Sequence, residues 1–340
     1  MLEGHARSDE LANDYVGSLD PESPGRSGVF VGCSYCIDDG LRNSHSPSFF
    51  RPAVLAVDPV YAAVRDGEAD FAREARGVVE SLWRAAAQYV DADIQQKAAV
   101  SFHPHFWELY LAACLLRDGM RLVPRSRRGL RDRGPDLQME QPPVWIEAIA
   151  PTQGTGPDAV TDGIPGMVRD VPDDGIKLRI LSAIQEKFEK FEHYVRNGTI
   201  SSSDPCVVAV NTGMVQKMWG DREVPRIVRS LFPFGHEVIE ISRRDGRVVG
   251  RRHEHTPAVI KQNGAAVPTT GFETPGWARI SMVIHSPVDV FNGTSAEGRE
   301  FVTVHNPHAV NPLPLGLLKL GTEYWAEQQM LRGRRWWMAE

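Results

Sequence analysis

Three acidic residues stand in stretches where an acid is costly. Glu108 is the only Asp, Glu, Lys or Arg in FHPHFWELYLAACLL, a segment apolar on nearly every side. Charged groups are seldom fully buried unless they are paired or bound to metal. Glu147 sits inside VWIEAIA, where the two-residue period of a strand places it on one face with Trp145 and Ile149. Asp136 follows Gly-Pro at the start of the preceding strand-like segment, PDLQM. Acids on a shared face of neighbouring strands come within a few ångströms of each other, and each raises the other's pKa unless a cation neutralises them. Hard oxygen donors with room for water suit Mg²⁺ or Mn²⁺.

The surrounding elements must hold these groups. A helix is expected from about His105 to Asp118, ending near Gly119. A short strand (MRLVP), an Arg-rich loop and the two strand-like segments 135–139 and 144–150 follow, the latter joined by a tight Gln-Pro-Pro link. After a loop broken by Pro and Gly, a long amphipathic helix spans about Ile176 to Arg196, then the strand CVVAVN. The order is α-β-β-β-α-β, which implies an α/β fold with a central mixed sheet and helices on its faces. Further on, VIEISRRDGRVVG reads as a hairpin around Asp245-Gly246, ARISMVIH and EFVTVHN as strands, and GTEYWAEQQMLRG as a closing helix. The expected organisation is a loosely structured arm over 1–48, a helical cover over 49–100, and a core over 101–340 with a β-rich C-terminal extension.

A helix with Glu (WEL, 107–109), a strand with Pro-Asp (GPD, 134–136), a strand with Glu (WIEA, 145–148) and a further helix together resemble the PD-(D/E)xK, or restriction-endonuclease-like, nuclease superfamily. The resemblance covers about residues 100–215. It implies that Asp136 and Glu147 hold a divalent cation, Mg²⁺ or Mn²⁺, with the peptide carbonyl of Ala148 as a further ligand. Glu108 would support a second metal or a metal-bound water. The family's Lys, two residues beyond the strand acid, is replaced here by Ile149. Some members supply that Lys from the next helix, and Lys187 lies on the apolar stripe of IKLRILSAIQEKFEKFEHYV between Ile184 and Phe191. Lys190, with Glu186 and His193 as neighbours, is expected on the wetter side. The alternative for Lys187 is that it snorkels to the surface.

Composition bounds the rest. The 340 residues are 42% hydrophobic and 24% charged, with a net charge of −6, which argues against coating nucleic acid by bulk electrostatics. A local basic patch exists in Arg121, Arg125, Arg127, Arg128, Arg131 and Arg133, readable either as a solvated loop or as a phosphate contact. No basic start followed by an apolar run opens the chain and no segment is long enough to span a bilayer, so a cytoplasmic protein without membrane contact is expected. Cys33 and Cys36 form a lone CxxC without the second pair that a zinc site needs, while Cys114 and Cys206 read as core residues. GTGPDA (154–159) matches a dinucleotide fingerprint, but the Pro- and Gly-broken sequence after it cannot continue as the required helix. His253 and His255 alternate on a strand but lack a third zinc ligand, and HNPHAVNPLP reads as an ordered turn.

Two functions follow. One is metal-dependent phosphodiester hydrolysis by Glu108, Asp136, Glu147 and Lys187, acting on nucleic acid, DNA ahead of RNA. A homodimer would suit double-strand cleavage. The other is a catalytically silent member of the same fold, serving as a nucleic-acid-binding or assembly module.

Overall fold

Apolar residues three and four apart wind residues 59–117 into four helices: α1 (Pro59–Asp66), α2 (Asp70–Ala86), α3 (Ile94–Val100) and α4 (Phe102–Arg117). A computed structural model of the protein describes residues 48–130, 134–162, 170–216, 221, 224–292, 298–327 and 330–336. Asp58 opens two of these helices with one carboxylate. Its Oδ1 accepts from the backbone N–H groups of Val60 and Tyr61 at 2.8 and 3.0 Å, and its Oδ2 from that of Phe102 at 2.9 Å. That second bond helps start α4 three residues before the expected His105.

The seven-stranded sheet takes strands β1 (Leu137–Met139), β2 (Val144–Ile149), β3 (Cys206–Asn211), β8 (Ile280–Ser286), β9 (Val302–His305), β10 (Thr322–Glu327) and β11 (Met330–Arg335) in that spatial order. It is mixed: β2, β3 and β8 run parallel, as do β9 and β10, while β1–β2, β8–β9 and β10–β11 are antiparallel. All six residues of β3 are buried, as a strand covered on both faces requires. Val207 and Ala209 face the core built on α1 to α4, and Val208 and Val210 the core built on α5 (Asp173–Arg196). Trp107 stitches the first layer to the sheet by donating from its indole to the Ala209 carbonyl at 3.0 Å. Helices α6 (Gly213–Gln216) and α7 (Arg226–Leu231) follow β3, and two separate hairpins are formed by β4 (Phe234–Ile241) with β5 (Val248–His255) and by β6 (Ala258–Ile260) with β7 (Ala266–Pro268). No described helix is long and apolar enough to cross a membrane.

Two expectations need correction. MRLVP forms only an isolated bridge, Leu122 to Met139, because Pro124 follows at once and the chain turns into a short 3-10 turn at Arg125–Arg127. The segment GTEYWAEQQMLRG is not a helix but supplies β10 and the start of β11. Its Ala, Glu, Gln and Leu favour helix locally, yet the open backbone edge of β9 takes Thr322 to Tyr324 as parallel partners. Satisfying that edge outweighs an intrinsic preference of a few tenths of a kcal/mol per residue, roughly. Residues 1–47, with Cys33 and Cys36, lie outside the described residues, while Cys114 and Cys206 are buried free thiols.

Gly321, at the entry to β10, has φ 56°, and a Cβ there would lie 1.9 Å from the Phe301 carbonyl oxygen. Gly246, at the tip of the β4–β5 hairpin, has φ 71° with open space around it. Gly321→Ala is therefore expected to lose more than about 2 kcal/mol in urea unfolding, and Gly246→Ala only about 1 kcal/mol. Equal losses would show that the contact at Phe301 relaxes freely.

Candidate active site

Strands β1 and β2 pair with Leu137 opposite Ile146, and continuing that register by one residue sets Asp136 opposite Glu147. Ile146 packs into the α4 layer and Trp145 into the α5 layer, so alternation turns Glu147 toward α5. None of the Glu147 side chain is exposed. Helix α5 meets it with three groups on one face: Lys187 Nζ at 2.7 Å and Lys190 Nζ at 2.8 Å from Oε2, and the Tyr194 hydroxyl donating to Oε1 at 3.0 Å. Spacings of three and four residues are what put 187, 190 and 194 side by side.

The side chain of Lys187 is 9% exposed and that of Lys190 39%, the order their positions in the stripe suggest. Lys190, on the wetter side as expected, nevertheless reaches the same carboxylate oxygen. A four-carbon stem lets a flanking lysine bend its ammonium round to a buried charge. In the sequence Tyr194 falls on the same apolar stripe as Lys187, three residues after Phe191, where periodicity reports its ring and is silent about its hydroxyl.

Asp136 accepts the Ala148 backbone N–H through Oδ2 at 2.7 Å. That is the contact shown for Ala148, where the resemblance implies a role for its carbonyl. The loop before Asp136 is held by Arg128, a buried residue whose guanidinium donates to the carbonyls of Tyr89, Val123, Pro135 and Asp136 itself. Burial, followed by the nearby Arg125, brings Arg128 down to about 10, still protonated at neutral pH. Arg125 pairs with Asp91 at 2.7 Å. Two arginines of the basic patch thus turn inward to build the loop that carries Asp136. Arg121 and Arg127 are exposed, and Arg131 and Arg133 lie outside the described residues.

Burial, and then the Glu147 carboxylate, push Asp136 up to about 6. Burial, and then the charge of Asp136, hold Glu108 well above the usual carboxylate range, with Lys187 acting in the opposite direction. Glu108 therefore belongs electrostatically to the same cluster as Asp136 and Lys187. Burial works against the Lys190 ammonium, but Glu147 and Asp136 more than offset it and raise its pKa. Burial and Glu147 likewise raise Tyr194, so its hydroxyl stays a donor.

Among the described residues, no group of three or more His, Cys, Asp or Glu side chains forms a cage for a metal ion. The donor set on offer is smaller. Neither the Glu108 carboxylate nor Oδ1 of Asp136 has a hydrogen-bond or ion-pair partner among the described residues. Mg²⁺ is commonly held by one or two carboxylates with water filling the remaining positions. Glu108 and Asp136 are carboxylates of the kind such an ion would use, and Glu147 would join only by exchanging an ammonium contact for the ion.

The remaining motifs are structural. In HNPHAVNPLP, His305 Nε2 contacts Glu323 Oε1 at 2.9 Å, the Asn306 amide donates to the carbonyls of Trp277 and Ile280, and Asn311 donates to those of Ser202 and Asp204. These bonds clasp the turn after β9 onto its neighbours. His253 and His255 lie on the hairpin strand β5, and GTGPDA forms no helix.

Removing Lys187 leaves a fully buried carboxylate with one ammonium fewer. Lys187→Met is expected to cost about 2–3 kcal/mol in chemical unfolding, and Lys190→Met, at the wetter position, under about 1 kcal/mol. Equal costs would mean that the two lysines share the burden evenly. For Asp136 the folded pKa of about 6 exceeds the ordinary 3.8. Its contribution is therefore most favourable below that lower value and is lost as pH rises through about 6. In EDTA, Asp136→Asn should gain stability relative to wild type between about pH 4 and pH 7, on the order of 1 kcal/mol. A pH-independent difference in melting temperature would contradict this. Comparison with family models, curated proteins and solved structures returns no match for this chain, so the meaning of the site rests on its own residues.

Proposed function

We propose that this protein is a metal-dependent nuclease of the PD-(D/E)xK kind, hydrolysing phosphodiester bonds in nucleic acid, with DNA the favoured substrate. The observation that carries this reading is the Lys187 ammonium, 2.7 Å from Glu147 where Ile149 leaves the strand without its lysine, with Asp136 across the β1–β2 pair. The order of elements supports it: α4, the β1–β2 hairpin, α5 and the parallel strand β3 follow the order in which the superfamily carries its site.

Each group has a role that its environment suits. A bound Mg²⁺ or Mn²⁺ would supply Lewis-acid polarisation of the phosphate and a more acidic water. Asp136, with a pKa of about 6, is mostly ionised at neutral pH and serves as an oxygen ligand alongside Glu108. Glu147 is an anchor that holds two ammonium groups at one oxygen. Lys190 stays protonated, so it orients the attacking water or offsets negative charge on the phosphoryl oxygens, and does not act as the base. Lys187, the more buried of the two, keeps Glu147 in place and shares the same electrostatic task.

The second reading, a silent nuclease-fold module, is favoured by one observation. Glu147 is satisfied by two lysines and a tyrosine without any ion. Incubating the protein with plasmid DNA, single-stranded DNA and RNA in Mg²⁺, Mn²⁺ or EDTA separates the two. Cleavage is expected with either metal and not in EDTA, slowed by about 100-fold or more in Asp136→Ala and in Lys187→Met. Mn²⁺ should raise the melting temperature of the wild type and not of Asp136→Ala. Absence of cleavage on every substrate, with equal Mn²⁺ shifts in both proteins, would leave the silent module as the answer.

A further inference from the structure

Strands β4 and β5 make a two-stranded ribbon that pairs with no strand of the main sheet, and no residue of either strand is buried. At about 3.3 Å per residue, eight residues reach about 26 Å. An isolated hairpin of this kind is marginally stable alone. This one is fastened at its root, where Phe234 packs on Phe232 and the Thr256 N–H donates to the Pro233 carbonyl at 2.8 Å. Beyond the root, Ile239, Ile241, Val248 and Val249 are exposed on the ribbon. Folding has left apolar and basic side chains together in solvent, a combination that marks a contact surface.

The charge is uneven. Residues 242–252 (SRRDGRVVGRR) carry five arginines and one acid, in a chain whose net charge is −6. Arg251 and Arg252 are neutralised across the ribbon by Glu237 at 3.3 Å and Glu240 at 3.1 Å. At the tip, Arg247 has only a loose contact with Asp245 at 3.9 Å. The guanidinium groups of Arg243 and Arg244 have no partner among the described residues. Three forked cations at the end of a protruding arm, two of them unused within the fold, match phosphate oxygens and guanine edges.

We propose that the β4–β5 ribbon is a duplex-DNA arm, lying in the major groove with Arg243, Arg244 and Arg247 on phosphates and base edges. The purpose of such an arm rests on the nuclease reading above. The major groove of B-form DNA admits a two-stranded ribbon, and valine and isoleucine side chains suit the thymine methyl groups there. The deep, narrow major groove of A-form RNA does not admit it. The root of the arm follows α7, whose Arg226 and Arg229 grip Asp173 at the start of α5 at 2.8 and 2.6 Å. From Asp173 to Lys187 is 14 residues of α5 (187 − 173), about 21 Å of helix, well under one turn of duplex. Adding the arm's own reach of about 26 Å puts its tip on the order of 50 Å at most from Glu147, a span that about one and a half turns of duplex cover.

The test is equilibrium binding of the full chain in EDTA to a 30-base-pair DNA duplex and to double-stranded RNA of the same sequence, across a salt series. The wild type is expected to prefer the DNA. The triple variant Arg243→Gln, Arg244→Gln, Arg247→Gln should bind DNA about 10-fold or more weakly, with a log–log salt slope smaller by about 2 and an unchanged melting temperature. Arg→Lys at the same three positions should keep the slope. Wild-type affinity and slope in the Gln variant overturn the proposal, as does a wild type that binds no DNA. A variant that changes only the concentration dependence of sedimentation also overturns it, assigning the ribbon to a second copy of the chain. Because binding is read without metal, DNA held through the ribbon but never cut in Mg²⁺ rejects the nuclease reading alone. Metal-dependent cleavage by a chain whose Gln variant binds normally rejects the arm alone.

Discussion

Glu147 lies on an inner strand with nothing of its side chain exposed, and an ionised carboxylate in that position costs several kcal/mol, roughly, unless its charge is answered nearby. The answer comes from α5, through two ammonium groups and a phenol on a single helix face. This cluster dictates how α5 is rotated about its own axis, because turning the helix by one position would bury Glu147 without a partner and push lysines into the core. It also ties the long helix to β2, while the crossover that the helix provides makes β2 and β3 parallel. Apolar packing supplies the bulk of the stabilisation between these layers, and the Glu147 cluster selects one register among those that packing allows.

The neighbouring carboxylates are handled differently. Asp136 takes one backbone N–H and feels Lys187 and Lys190 only through space, and Glu108 is held toward its neutral form by burial and by the charge of Asp136. The protein stabilises this arrangement from behind, with Arg128 buried under the loop and bonded to four backbone carbonyls. An arginine spent in this way contributes no surface charge. It makes a tight turn rigid, so that two acids can face each other without the loop relaxing away. On the nuclease reading proposed above, carboxylates kept in place by such a rigid support are the groups that would receive the cation.

The strands of this chain divide into two kinds. Those of β3 and β8 are buried along their whole length, whereas β4 and β5 mix charged and apolar residues and bury nothing. Both kinds obey the same backbone rules. What differs is whether another layer covers them, and for the ribbon no part of the described chain does so.

Apart from the strand expected at MRLVP, the sequence alone determined the order of the elements from α4 to β3, the alternation that puts Glu147 on one face of β2, and the stripe that brings Lys187 inward, because these depend on local periodicity. It equally showed the Asp245-Gly246 hairpin, whose turn chemistry is local. Tertiary structure decided the rest. Lys190 and Tyr194 join Glu147 because a buried charge draws in whatever donors can reach it, and reach is a three-dimensional property. Arg125 and Arg128 turn inward because the carbonyls they satisfy come from distant parts of the chain, Tyr89 among them. The segment 322–335 becomes strand in spite of its helix-forming residues because β9 presents an unpaired edge beside it. Periodicity records which face of an element is apolar. Which donor meets which acceptor is settled only when elements far apart in sequence are packed together, where every buried polar group must find a partner or bear the cost of lacking one.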